Sequence, residues 1–353
     1  MVICNTLRFL TYLAAVCVFV YGCRQTPDFG PPQPPPFKLI TTEDLLSVSS
    51  PDINNVWITG LNAIILHSGN AGFDWEFQKA PVTKDLYSIY FIDTKKGWAV
   101  GKHGTVITTN DGGKTWLDLS KHTESDKKLM DVYFATHKNG WVVGVYGTIF
   151  CTDDAGKTWK QQGLDEDRIY NSVFFLDRHR GWIVGEYGTI LRTEDGGKEW
   201  KKQDCKDLVP IVDMEEYAPP LPSLYDVYFT SKTRGWAVGL DGVIIFTQDG
   251  GENWKKMASP IDLTLFQVKI IESQGWAAGL RGNYMVSSDA GGSWNAREKA
   301  LPTKFWLRGL DFADIKNGWL VGSKGTIIHT TNGGTTWKML SGITLPDSNA
   351  KID

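Results

Sequence analysis

Fourteen of the fifteen tryptophans in this 353-residue chain form seven pairs, each pair eighteen positions apart. The pairs are Trp57 and Trp75, Trp98 and Trp116, Trp141 and Trp159, Trp182 and Trp200, Trp236 and Trp254, Trp276 and Trp294, and Trp319 and Trp337. Successive pairs begin 41, 43, 41, 54, 40 and 43 residues apart. A period near forty is the mark of a repeat architecture, in which one unit cannot bury both its faces alone and stacked neighbours can.

Each unit reads as four short strands. In one of them LYDVYF (Leu224 to Phe229) alternates and is rich in aromatics, then a polar turn TSKTR leads into GWAVG, a two-residue turn, VIIFT, the turn DGG and NWKKM. No helical periodicity intervenes, and β-branched and aromatic residues dominate. Seven such units predict an all-β chain, a seven-bladed β-propeller of four-stranded antiparallel blades. The blades fall at about 44–80, 84–120, 127–163, 168–203, 223–258, 263–299 and 304–340, with a tail over 341–353. Complete units predict closure by side-by-side blades, with a strand from Phe37 to Thr41 as the alternative that completes the last one.

The residues before the second tryptophan carry a turn motif. Thr109 to Trp116, TNDGGKTW, matches the Asp-box or BNR pattern S/T-x-D-x-G-x-T-W, and Asp111, Asp154, Asp195, Asp249, Asp289 and Asn332 hold its acidic position in six copies. Such a side chain accepts hydrogen bonds from nearby turn amides, glycine supplies positive φ and tryptophan clamps the turn by burial. The alternating acids and distal glutamate of an EF-hand are absent, so the motif is read as structural, with no metal and no cofactor.

Function is expected where the copies stop agreeing. Successive connections of an antiparallel blade alternate between its ends, so the Asp-box turn shares a face with the one-to-two turn, and the two-to-three turn shares the other face with the link between blades. On that second face the residues between the glycines vary: Leu61-Asn62, Lys102-His103, Val145-Tyr146, Glu186-Tyr187, Leu240-Asp241, Leu280-Arg281 and Ser323-Lys324. Lys102, His103, Tyr146, Glu186, Tyr187, Asp241, Arg281 and Lys324 are therefore candidate binding residues, with solvated turn chemistry as the bland alternative. The unpaired Trp306, and Arg308 where other inner strands have Tyr87, Met130, Asn171 and Tyr225, are two more. The long interval adds an acidic, proline-bearing loop, QDCKDLVPIVDMEEYAPPLPS, on the same face. The Asp-box face carries a basic rim of Lys95, Lys96, Lys138, Arg178, Arg180, Lys232, Arg234 and Lys316, to which Arg168 and Arg192 add by sequence; an acidic partner, anionic lipid or plain solvation all suit it.

The amino terminus has another character. One basic residue, Arg8, precedes an apolar run from Phe9 to Tyr21 that ends Val20-Tyr21-Gly22-Cys23, a string resembling a bacterial lipobox. The reading is a signal peptide over 1–22, lipidation at Cys23, a proline-rich spacer over 23–43 and a place in the cell envelope, attached to a membrane by lipid; an ordinary cleaved signal or an uncleaved anchor are the alternatives. Cys151 and Cys205 are too few for a disulfide scaffold or a zinc site. A formal net charge of −3 gives no reason to expect a nucleic-acid partner.

The combined pattern G-W-x-V-G-x-x-G-T-I-x-x-T-x-D-G-G-x-x-W, clearest from Gly97 to Trp200, resembles the photosystem II stability/assembly factor family over about residues 44–340. That resemblance implies a seven-bladed propeller that binds a protein partner, a membrane subunit under assembly, without catalysis, and an arginine-rich patch; Arg168, Arg178, Arg180 and Arg192 are near one another in sequence but do not map onto it one by one. An exported, sialidase-like glycoside hydrolase and a surface glycan-binding propeller are the alternatives. The Phe-Arg-Ile-Pro string of sialidases is missing; Asp167-Arg168-Ile169-Tyr170 is nearest. Asp131 and Asp226 are the carboxylates an enzyme would use. They share one repeat position with Ser88, Ser172 and Gly309, which favours structural hydrogen bonding.

Overall fold

A computed structural model describes residues 39–342 apart from 165, 210–219 and 298–299. Cys23, the signal segment, most of the spacer, the middle of the long loop and most of the tail lie outside these residues. Seven four-stranded antiparallel sheets run in strict chain order. Their first strands, Leu45–Ser49, Leu86–Phe91, Leu129–Phe134, Tyr170–Phe175, Leu224–Phe229, Leu265–Ile271 and Leu307–Phe312, each touch the next, and the first touches the last. They form the inner wall of a closed propeller whose blades are numbered 1 to 7 here. Apart from short 3-10 turns there is no helix among the described residues, and none long and apolar enough to cross a membrane.

Closure is side by side. Blade 1 owns strands Leu45–Ser49 to Glu76–Phe77 and blade 7 owns Leu307–Phe312 to Lys338–Ser341, so neither borrows a strand. Leu39–Thr41 forms no strand; it is tied to blade 7 through Ile40 N, which donates to Ser341 Oγ at 3.1 Å.

The core lies between blades rather than within them. Each interface has its own buried cluster, such as Trp98, Val100 and Val106 of blade 2 against Leu129, Val132, Phe134 and Trp159 of blade 3. The paired tryptophans acquire distinct roles there. In five of the seven pairs the first tryptophan stacks on the inner-strand phenylalanine of the following blade, as in Trp98 on Phe134 and Trp141 on Phe175, both 3.4 Å between centroids. Trp236 has Ile270 there and lies against Phe246 of its own blade at 4.9 Å. The second meets the phenylalanine of its own blade edge-on, Trp159 against Phe134 at 6.2 Å and Trp200 against Phe175 at 5.9 Å. The first tryptophan also donates its indole N–H to a carbonyl of the next Asp-box: Trp57 to Gly112 at 3.3 Å, Trp141 to Gly196 at 3.0 Å, Trp276 to Gly333 at 2.9 Å. In blades 2 to 5 and 7 glycine precedes this tryptophan because the phenylalanine ring of the same blade fills the space: a Cβ on Gly140 would stand 2.4 Å from Phe134.

The seam between blades 7 and 1 departs from this pattern. Ser50 replaces the phenylalanine, Trp319 stacks instead on His329 at 4.7 Å, and its indole N–H has no partner among the described residues. The substitute is polar. Asp311 accepts from Ser50 N at 2.7 Å and Ser50 Oγ at 2.9 Å and pairs with Lys269 at 3.1 Å, joining blades 6, 7 and 1.

A candidate docking face

The Asp-box turns are built alike. In blade 2, Asp111 accepts from Thr115 N at 2.9 Å, Thr115 Oγ1 at 2.6 Å and Thr109 Oγ1 at 2.8 Å, while Gly113 N donates to Thr109 Oγ1 at 2.9 Å. Asp154 and Asp289 repeat this, and Asn332 does so with an amide, donating from Nδ2 to Thr336 Oγ1 at 2.8 Å. These bonds, from Ser287 and Ser293, hold the Asp289 carboxyl down at about 2. Each turn rests on the one-to-two turn of its own blade, as when Ala155 N donates to Lys138 O. Among the described residues no cluster of His, Cys, Asp and Glu is arranged around a metal position. On this face Arg180 pairs with Asp177 at 2.5 Å and Arg192 with Glu194 and Glu252, while Lys95, Lys96, Lys138, Lys232 and Lys316 have no carboxylate partner among the described residues.

The opposite face is assembled from the variable turns. The structure shifts the turn register by one residue from the sequence expectation: the two central positions are the second variable residue and the following glycine. His103 (φ 56) and Gly104 (φ 64) are one such pair, closed by Thr105 N on Lys102 O. Positive φ at both positions is a type I′ turn, whose twist matches the flanking strands. The second variable residue is left-handed in all seven blades: Asn62, His103, Tyr146, Tyr187, Asp241, Arg281 and Lys324, with φ between 53 and 57. Asparagine and aspartate tolerate that region; a tyrosine pays about 1–2 kcal/mol for it. Tyr146 and Tyr187 nevertheless occupy it, and are 58% and 50% exposed.

Turns and links of blades 2, 3 and 4 enclose a groove of about 870 Å³. It brings together four of the predicted residues, Lys102, His103, Tyr146 and Glu186, and Tyr187 borders it, under Arg168 at 5.6 Å. His103 pairs with Asp126 at 2.9 Å, and Glu186 accepts from Ile169 N at 3.0 Å. Lys127 lies over Tyr146 at 6.0 Å and Lys128 over Tyr87 at 4.5 Å, neither with a carboxylate partner among the described residues. The predicted Asp241, Arg281 and Lys324 sit on the turns of blades 5, 6 and 7 and do not line the groove; Lys324 lies over Phe305 at 4.9 Å. Asp126, Lys127 and Lys128 escaped sequence reading because they belong to a link between blades, where no repeat pattern frames them. Arg168 also lies on this face, in the link before blade 4, apart from Arg178, Arg180 and Arg192, so those four arginines make no single patch.

Tyr87 leads from the groove into the pore mouth. There Arg308 stands level with Leu46, Met130, Asn171, Tyr225 and Phe266, beside a cavity of about 50 Å³. Burial lowers its pKa, opposed by Tyr225, Tyr87 and Asp131. Trp306 precedes the strand, half-buried, and does not line this mouth. One step deeper, Asp131 accepts from Ser88 Oγ at 2.7 Å and Val173 N at 2.9 Å, and Asp226 from Ser172 Oγ at 2.8 Å and Val268 N at 2.9 Å. Each carboxylate thus staples its own blade to both neighbours. Burial pushes both carboxyls up, Asp226 to about 7, in spite of these bonds. Cys151 and Cys205 are separate free thiols; Cys205 opens the long loop, packed with Leu208 against Trp254 of blade 5.

Comparison with known proteins agrees with this architecture. A family model described as photosynthesis system II assembly factor YCF48 matches residues 73–128, 117–214 and 212–299, more than half of the chain. The chain belongs to that family. Photosystem II assembly lipoprotein Ycf48 of Synechococcus sp. (strain CC9902) is 28% identical over 131 residues, 36% of this chain and 26% of that protein. The chain spans about a quarter or less of the length of the curated relatives it matches. A solved structure of YCF48 bound to D1 peptide superposes with a TM-score of 0.67 at 22% identity, over 84% of this chain and 96% of that one. An ancestral GH74 enzyme superposes equally well, TM-score 0.67 at 11% identity, over 89% of this chain and 48% of that one. At these identities the superpositions establish the propeller alone.

Proposed function

We propose that this protein is a non-catalytic propeller scaffold that holds a protein partner on its variable-turn face, serving the assembly or stability of a membrane complex. The observation that carries the reading is the pair Tyr146 and Tyr187. An exposed aromatic in a left-handed turn destabilises the free protein and buries little of itself, whereas aromatics seated beside a groove are typical anchors of interfaces. Family membership supports the assembly role, and one relative is known bound to a peptide. The lipobox-like string ending at Cys23 and the proline-rich spacer support attachment to an envelope membrane by lipid, as does the word lipoprotein in a relative's name. Asp131 and Asp226 have their oxygens committed to stapling blades, which speaks against their use as a hydrolytic pair.

The test uses the chain in its own membranes. Tyr146→Gly and Tyr187→Gly should each leave the melting temperature unchanged or raise stability by up to about 1 kcal/mol, because glycine removes the left-handed penalty. The double variant should capture less crosslinked partner than wild type. Equal capture, or capture lost only together with stability, would contradict the assignment.

A further inference from the structure

Arg308 is placed as no other pore-lining residue is. The groups at its own level offer no carboxylate, and the polar groups one step deeper are occupied: Asp131 and Asp226 by serine hydroxyls and backbone amides, Gln267 by Leu310 N. The guanidinium presents five fixed donors and meets no acceptor within hydrogen-bonding or ion-pairing range among the described residues. A half-buried cation without a partner is costly to the fold, and repeat logic does not require it, since the same position is apolar or neutral in the other six blades. The cavity of about 50 Å³ beside it has room for one small oxyanion or a few waters. Tyr87 borders both this cavity and the groove, and Lys128 stands over the Tyr87 ring at 4.5 Å, so two unpaired cations flank the passage from groove to pore.

We propose that the pore mouth is a carboxylate pocket: Arg308, with Lys128 beside it, receives an acidic side chain of the polypeptide docked along the groove. The guanidinium fork suits a carboxylate bidentately, and desolvation in the mouth strengthens such a pair relative to one at the rim. This rests on the docking reading above and adds to it the chemistry of the bound segment and the place where it enters the pore.

The experiment separates the two claims by using the protein without any partner. Arginine-labelled protein is titrated with sodium acetate and, separately, with sodium phosphate, against sodium chloride at equal ionic strength, following the arginine Nε–Hε signals. One signal, identified by its absence from Arg308→Lys, should shift saturably with acetate and stay still with chloride. No movement of that signal, movement shared by all surface arginines, or a response to phosphate alone would each overturn the carboxylate assignment. Arg308→Gln should then capture partner about tenfold more weakly at a melting temperature no lower than that of wild type, the loss expected for one charge-assisted contact. Undiminished capture by that variant would overturn the pocket while leaving the groove reading standing.

Discussion

At the scale of single residues, one hydrogen-bonding role is filled by different chemistry from copy to copy. Asn332 performs with an amide what Asp111 performs with a carboxylate. Asp111→Ala should therefore cost about 1–2 kcal/mol in denaturant unfolding, the worth of a few partly exposed turn hydrogen bonds, while Asp111→Asn should cost far less. Asp226 makes the converse case. Its folded-state pKa of about 7 lies above the 3.8 of a free carboxyl, so the protonated side chain is the one the fold favours. Its contribution is complete below pH 4 and is lost as pH rises through 7, at about 1.4 kcal/mol per pH unit between the two values. Thermal melts of Asp226→Asn should accordingly fall less between pH 5.5 and 8 than those of wild type; parallel curves would contradict the burial argument. Both roles were legible in sequence, because a polar residue recurring at one repeat position signals a repeated structural need. The turn register was not, since G-x-x-G does not say which residue turns left-handed.

At the scale of elements, the tryptophan pairs bind neighbouring blades to each other. Trp141 stacks on Phe175 and reaches Gly196 of the next blade. Trp319, at the seam, is equally buried yet lacks both the phenylalanine and the indole hydrogen bond. Trp141→Phe should thus cost about 1 kcal/mol more than Trp319→Phe in equilibrium unfolding, because only the former removes an indole hydrogen bond. That bond goes to the part-buried Gly196 carbonyl, whose other donor, Gln162 Nε2, stands at 3.5 Å. Equal costs would mean that packing alone decides. The period of forty made the blades readable, but which blade each tryptophan serves is a three-dimensional fact. Two tryptophans eighteen apart in sequence serve different phenylalanines, Trp141 that of the following blade and Trp159 that of its own, so each phenylalanine is held by tryptophans of two pairs. Ser50 at the seam was equally hidden, since a first copy that diverges looks merely degenerate until the ring is closed.

At the scale of the whole molecule, the repeat makes two unequal faces from one unit. The Asp-box face is uniform, with Arg180 and Arg192 paired and the lysines of its basic rim without carboxylates among the described residues, whereas the turn face varies and gathers Lys127, Lys128 and Arg308 about one groove and the pore mouth. Variation marked the face correctly, yet the ten candidates spread around the ring and only one sector gathers into a groove. The links between blades made that difference, and sequence gave them no frame. Attachment is argued at this scale too: Cys23→Ser should move the protein from the membrane fraction to the soluble fraction, and a variant that stays with the membrane would contradict lipid attachment at that residue.

The most direct measurement places a photo-crosslinking amino acid at position 146 or, on the opposite face, at position 138, in the full chain expressed in its own cells. The account predicts a discrete protein adduct from position 146, diminished by Arg308→Gln, and none from position 138. Adducts from position 138 alone would put the partner on the Asp-box face and contradict the assignment of the variable turns as the docking surface.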